Sequence, residues 1–269
     1  MKLGRFLVLL IALMLTGCGL RIDTPPPTVA PPSAAELARD SAARELYAVA
    51  NYTGPELSGP LARFAANAHE RADSLGGVWQ DCREDPACAT LPPEQISGAS
   101  SPEDIAARGQ LVLAYLDEMT TRGDANLASL AASMLPLVRV EIGHENPRGY
   151  QQHDWTHSPA LLTTLAWGMW QLDAAAARDG DAGLSALADE LREAASALTS
   201  TSNAAEIPVF QTESATGEVI ITELATKLAN QLPEFEGTER LAIVDLLQLL
   251  TEVLTERGAQ VPAAWLTTT

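Results

Sequence analysis

Between residue 34 and residue 257, several separate segments repeat apolar residues at the three-and-four spacing of a single helix face. Leu57, Leu61, Phe64, Ala68, Ala72 and Leu75 follow it until Gly76-Gly77 stops the run. Leu184, Leu187, Leu191 and Leu198 repeat the pattern further on. A chain written this way buries its apolar surface by laying helix on helix. Aromatic residues make up only 5% of the sequence, and β-branched clusters are nearly absent outside Ile207 to Thr222. The fold class this predicts is all-α, an antiparallel up-and-down bundle of about eight helices.

Local signals mark where the helices begin and end. A first helix is expected from Ala34 to about Asn51, behind a run of prolines, and a second over 55 to 75. Ser101-Pro102-Glu103-Asp104 has the form of a helix start, with Ser as cap and Pro in the first turn. Arg122-Gly123-Asp124 turns the chain into a helix over 125 to 142 that contains Pro136 and ends at Gly143. Ser158-Pro159 opens a very apolar segment whose Leu161, Leu162, Leu165, Trp167, Met169, Trp170 and Leu172 point to a central, all-round buried helix. With 182 to 199 it reads as an antiparallel hairpin turning at Asp179-Gly180-Asp181. Residues 207 to 222 are the one stretch whose pattern admits a β-hairpin, turning at Ala215 to Glu218. A short helix over 222 to 232 and a last one from Gly237-Thr238 to Arg257 follow.

The N-terminus carries a different message. Lys2 and Arg5 precede an unbroken apolar run from Phe6 to Leu15, the length of a secretory signal core. That is short of the roughly 20 residues a membrane-spanning helix needs. Leu15-Thr16-Gly17-Cys18 resembles the lipobox of bacterial lipoproteins, which implies cleavage after residue 17 and a diacylglycerol on the Cys18 thiol. Acyl chains hold a protein on a bilayer face without inserting its polypeptide. Five prolines between Arg21 and Ser33 then predict an extended spacer. The domains expected are thus a signal peptide over 1–17, a lipidated tether over 18–33 and a helical bundle over 34–269, which admits a sub-boundary near 200–220. The location expected is the extracytoplasmic face of the cell membrane.

The formal charge of −18 excludes nucleic acid as a partner, because no basic footprint exists for phosphates. Residues 1–17 contain Lys2 and Arg5 and no acid, so their removal leaves the chain more acidic still. Cys82 and Cys88 are the remaining cysteines, and in an oxidising compartment two cysteines this close read as a disulfide. Their spacing is not that of a Cys-x-x-Cys metal or redox pair.

Gly19 to Pro27, the phrase Ala43-Arg44-Glu45, and His69 leading to Leu75-Gly76-Gly77-Val78-Trp79 together resemble the N-terminal part of actinobacterial lipoproteins with a ferritin-like domain of unknown function. The likeness covers about the first 80 residues. It implies a ferritin-like bundle and no particular activity.

A di-iron centre in such a bundle needs a Glu-x-x-His pair on each of two helices. Only Glu141-Ile142-Gly143-His144 has that spacing. His144, His153 and His157 cluster within fourteen residues, with Glu145 and Asp154 beside them. With Glu141 they are candidate ligands for zinc or iron. The other reading of the same segment is a polar loop anchored by Tyr150 and Trp155. His69, beside Glu70, reads as a boundary histidine with a hydrogen-bond partner. No nucleophile elbow, phosphate loop or dinucleotide fingerprint occurs, so no catalytic residue is assigned. The function expected is a non-catalytic binding or scaffolding role toward an envelope protein. The alternatives are a metal module built on the 141–157 cluster, or small-ligand binding between helices beside Trp167 and Trp170.

Overall fold

In the computed structural model the described residues are 31–79, 92–144, 158–199, 210–211 and 214–266. Among them are eight α-helices and no strand: α1 Ala34–Ala50, α2 Gly59–Ser74, α3 Pro102–Arg122, α4 Ala125–Glu141, α5 Pro159–Asp179, α6 Ala182–Thr199, α7 Gly217–Ala229 and α8 Gly237–Glu256. The all-α reading holds.

Most boundaries are set by local chemistry. The Ser101 side chain accepts from the amide of Asp104, Asp124 accepts from Asn126 and Leu127, and Ser158 accepts from Leu161, which satisfies amides that have no partner within their helices. Gly76 (φ 85°) and Gly77 (φ 70°) take the left-handed backbone that ends α2. Arg39 of α1 donates to the carbonyls of Leu75 (2.8 Å) and Gly77 (3.0 Å), tying that end to its neighbour.

Helices α1 to α4 close a four-membered ring in which α1 touches α2 and α3, and α4 touches the same two from the other side. The direct partners run antiparallel. Arg39 meets the end of α2 while Tyr47, two turns later, meets Asp73 within it. The start of α3 lies by the end of α1, where the amide of Ala99 donates to Ala48 (2.7 Å). Helices α2 and α3, consecutive in sequence, therefore run the same way across the bundle, with 27 residues of sequence between Ser74 and Pro102. Beyond the ring, α8 packs on α4, α7 on α8, α5 on α7, and α6 on α5. All of this belongs to one unit, residues 34–269.

Two expectations are corrected. The all-round buried helix is α4, not α5: every residue from Ala128 to Val138 is buried between α2, α3 and α8. On α5, by contrast, Trp170 is 50% exposed. The small side chains of α4 (Ala128, Ser129, Ala131, Ala132, Ser133) let neighbours approach from every side, and large apolar residues alone did not reveal this. The β-hairpin expected near 207–222 is also overturned where it is described. Residues 210, 211 and 214–216 are irregular, and α7 begins at Gly217, five residues earlier than expected. Thr216 caps it by accepting from Val219, and Ile220, Ile221, Leu224, Ala225 and Leu228 are buried at helical spacing. Here the three-and-four period outweighs β-branched propensity. A Cβ at Gly217 would stand 2.7 Å from Leu184 Cδ1, so a side chain there would force the buried Leu184 to shift.

Candidate functional site

Arg63, Asn67 and Arg71 stand four residues apart on α2 and so form one stripe along it. Phe64, Ala68 and Ala72 fill the core beside them, which makes Arg71 a guanidinium on the inward face. It is fully buried. A buried charge requires a partner charge and complete hydrogen bonding. Glu141, at the end of α4, supplies the first: Nη1 donates to Oε2 and Nη2 to Oε1 (2.9 Å). Arg71 Nε donates to the Ala263 carbonyl (2.9 Å), and Asn67 donates its amide hydrogen to Glu141 Oε1 (3.1 Å). The Phe64 ring lies 5.9 Å from the guanidinium carbon.

The C-terminal segment reaches this stripe because Gly258, at φ 72°, turns the chain off the end of α8. Its far end is held by Arg71 on Ala263 and by Trp265, whose indole donates to Thr251 Oγ1 (3.2 Å). Between α2 and this strap lies a cleft of about 350 Å³, in the lower range for small-ligand sites. Its polar lining is Arg63, Asn67, Thr255 and Gln260, and Ala66, Ala259 and Val261 give it apolar walls. Arg63 Nε is shut off from solvent and has no hydrogen-bond partner.

A second polar group lies nearer the end of α2. Tyr47 donates its hydroxyl to Asp73 Oδ1, and the other carboxylate oxygen meets His69 Nδ1 at 3.2 Å. The two rings meet edge to face, with centroids 5.4 Å apart. Burial, then the hydrogen bond to Asp73 and the nearby negative charge, pushes the Tyr47 phenol well above its ordinary range. His69 is exposed and stands at ion-pair distance from Asp73.

No protein-family model, characterised protein or solved structure matches this chain.

Of the candidate metal ligands, Glu141 and His144 are described. Glu141 is buried and committed to Arg71 and Asn67, while His144 is exposed, its carbonyl accepting from Gln248 (3.3 Å). Cys18, Cys82, Cys88, His153 and His157 lie outside the described residues. Among the described residues no three His, Cys, Asp or Glu side chains stand close enough to hold a metal, and no helix is long and apolar enough to cross a membrane. Trp167 carries the Lys227 ammonium 4.9 Å from its ring centroid. Sequence reasoning passed over Arg63, Asn67 and Arg71. The available signal was Arg71 itself, a charged residue within the stripe Phe64, Ala68, Ala72, Leu75.

Proposed function

We propose that this chain is a lipid-anchored protein of the extracytoplasmic membrane face whose acidic, ferritin-like bundle acts by binding an envelope partner or solute, without catalysis of its own. The cleft between α2 and the C-terminal strap carries this reading. It has polar groups on an apolar wall, and both of its sides are fixed, one by the Arg71–Glu141 pair and the other by the anchors at Ala263 and Trp265. A preformed cleft avoids part of the ordering cost of association. The ferritin-like part of the reading draws support from the long connection between α2 and α3, since bundles of that class use one such crossover. The anchor rests on Lys2 to Cys18 alone.

Two measurements test it. Labelled palmitate is expected in the wild-type chain and absent from Cys18→Ala, which should leave the membrane fraction; equal labelling of both overturns the anchor. A photoreactive residue at Gln260 is expected to give a discrete adduct in the native envelope, lost when Ala66→Trp fills the cleft. No adduct, or one indifferent to Ala66→Trp, overturns the binding role.

A further inference from the structure

The chain holds 35 acidic residues against 17 lysines and arginines, so a cation has many acids available to it. Arginines of the described residues use them: Arg71, Arg108, Arg139, Arg192 and Arg257 each sit on a carboxylate, and Arg39 and Arg240 sit on backbone carbonyls. Arg63 stands apart. Among the described residues it is the cation with neither an acidic nor a carbonyl acceptor, and its Nε is enclosed without one. An enclosed donor left unmatched is costly and calls for an acceptor from elsewhere.

The surroundings of Arg63 define that acceptor. Arg63 lines the cleft, and no group among the described residues takes its Nη groups, so an anion entering there can meet them while Nε stays enclosed. Asn67 spends its amide hydrogen on Glu141 and keeps its carbonyl oxygen, while the Thr255 hydroxyl and the Gln260 amide can each donate or accept. Ala66, Ala259 and Val261 suit a short aliphatic group. A guanidinium matches a planar carboxylate through two parallel hydrogen bonds. We infer that the cleft between α2 and the C-terminal strap binds a small carboxylate, with Arg63 gripping the acid group and Asn67, Thr255 and Gln260 reading polar atoms next to it. This rests on the cleft being a binding site, and it adds the chemistry of what enters. The carboxylate has two sources, a free small acid or the C-terminus of a short peptide.

The test uses the full lipidated chain in detergent micelles, labelled with ¹⁵N-arginine and ¹⁵N-glutamine. The Arg63 Nε–H signal is assigned through Arg63→Lys. The probes are N-acetylalanine and its amide, trialanine with a free or an amidated C-terminus, and inorganic phosphate. A free-acid probe is expected to shift the Arg63 Nε–H and Gln260 signals while its amide does not, and phosphate at equal concentration should not displace it. N-acetylalanine and trialanine, compared, separate the two sources. Arg63→Gln should weaken the acid at least about tenfold, and Arg63→Lys, which keeps the charge and loses the paired geometry, should weaken it less. Acid and amide binding alike, phosphate matching the acids, or full affinity in Arg63→Gln overturns the carboxylate assignment and leaves the cleft a binding site. If no probe moves Arg63 or Gln260, the carboxylate assignment falls, while the Gln260 crosslink still judges the cleft. Should Arg63→Gln fail to fold, the acid and amide pairs on the wild-type chain decide the matter.

Discussion

Arg71 and Glu141 meet end to end inside the bundle, both guanidinium Nη groups on both carboxylate oxygens, with side chains 0% and 1% exposed. Helices α2 and α4 are thereby locked in register, and the same guanidinium carries the C-terminal strap through Ala263. Removing one partner strands a buried charge, a loss of about 3–5 kcal/mol. Glu141→Leu alone is therefore expected to destabilise strongly, and Arg71→Met with Glu141→Leu much less. Urea unfolding of both variants checks this, and equal losses would contradict it.

Tyr47 links α1 to α2 through Asp73, and its phenol is held above the ordinary range by burial and by that carboxylate. Because the folded value is raised, the stability it contributes is fully present below the unfolded value of about 10 and is lost as pH climbs toward the folded one. A spectrophotometric titration of the native protein should show one tyrosine ionising late, and Tyr47→Phe should remove that phase. The substitution should cost about 1 kcal/mol at neutral pH.

Asp181 caps α6 by accepting from Gly183 and Leu184, and Arg257 at the end of α8 donates to both of its oxygens (2.8 and 3.1 Å). The Arg257 hydrogen bond is the main reason its carboxyl lies below the usual range. A lowered folded value contributes stability above the unfolded pKa of about 3.9 and loses it as pH falls through the folded one. Asp181→Asn keeps an acceptor for the cap and loses the charge. Its melting temperature should trail wild type at pH 6 and converge with it near pH 2.

Gly109 lies where α3 crosses α2 and the end of α4, and a Cβ there would stand 2.7 Å from Ile142 Cγ2 and 3.3 Å from Phe64 Cε1. Alanine gains about 1 kcal/mol of helix propensity over glycine. Overpacking costs about 1–3 kcal/mol. Because Ile142 is β-branched and Phe64 is buried, neither yields easily, and Gly109→Ala is expected to lower the melting temperature.

Protein purified without chelator is expected to contain only substoichiometric zinc or iron and to keep its melting temperature when zinc is added. A rise on adding zinc would signal a site that binds the folded chain, and would favour the 141–157 cluster over the cleft.

The sequence by itself determined the helical class and most helix ends, because caps such as Ser101, Asp124 and Ser158 and stops such as Gly76-Gly77 act within a few residues. Helices α1, α3, α4 and α6 lie within a residue or two of their expected bounds for that reason. It also held the linear pattern ending at Cys18 on which the proposed anchor rests. Only the tertiary structure decided which helix is central, because enclosure depends on how many neighbours approach, and the small residues of α4 admit them on all sides. It likewise decided that 217–229 is a helix, once Ile220, Ile221 and Leu224 had α5 and α8 to bury against. The candidate site was almost illegible beforehand. Arg71 and Glu141 are 70 residues apart, and Arg71 and Ala263 are 192 apart. No local pattern joins such residues; folding the strap back along α2 does, and it leaves Arg63 facing a cleft without an acceptor.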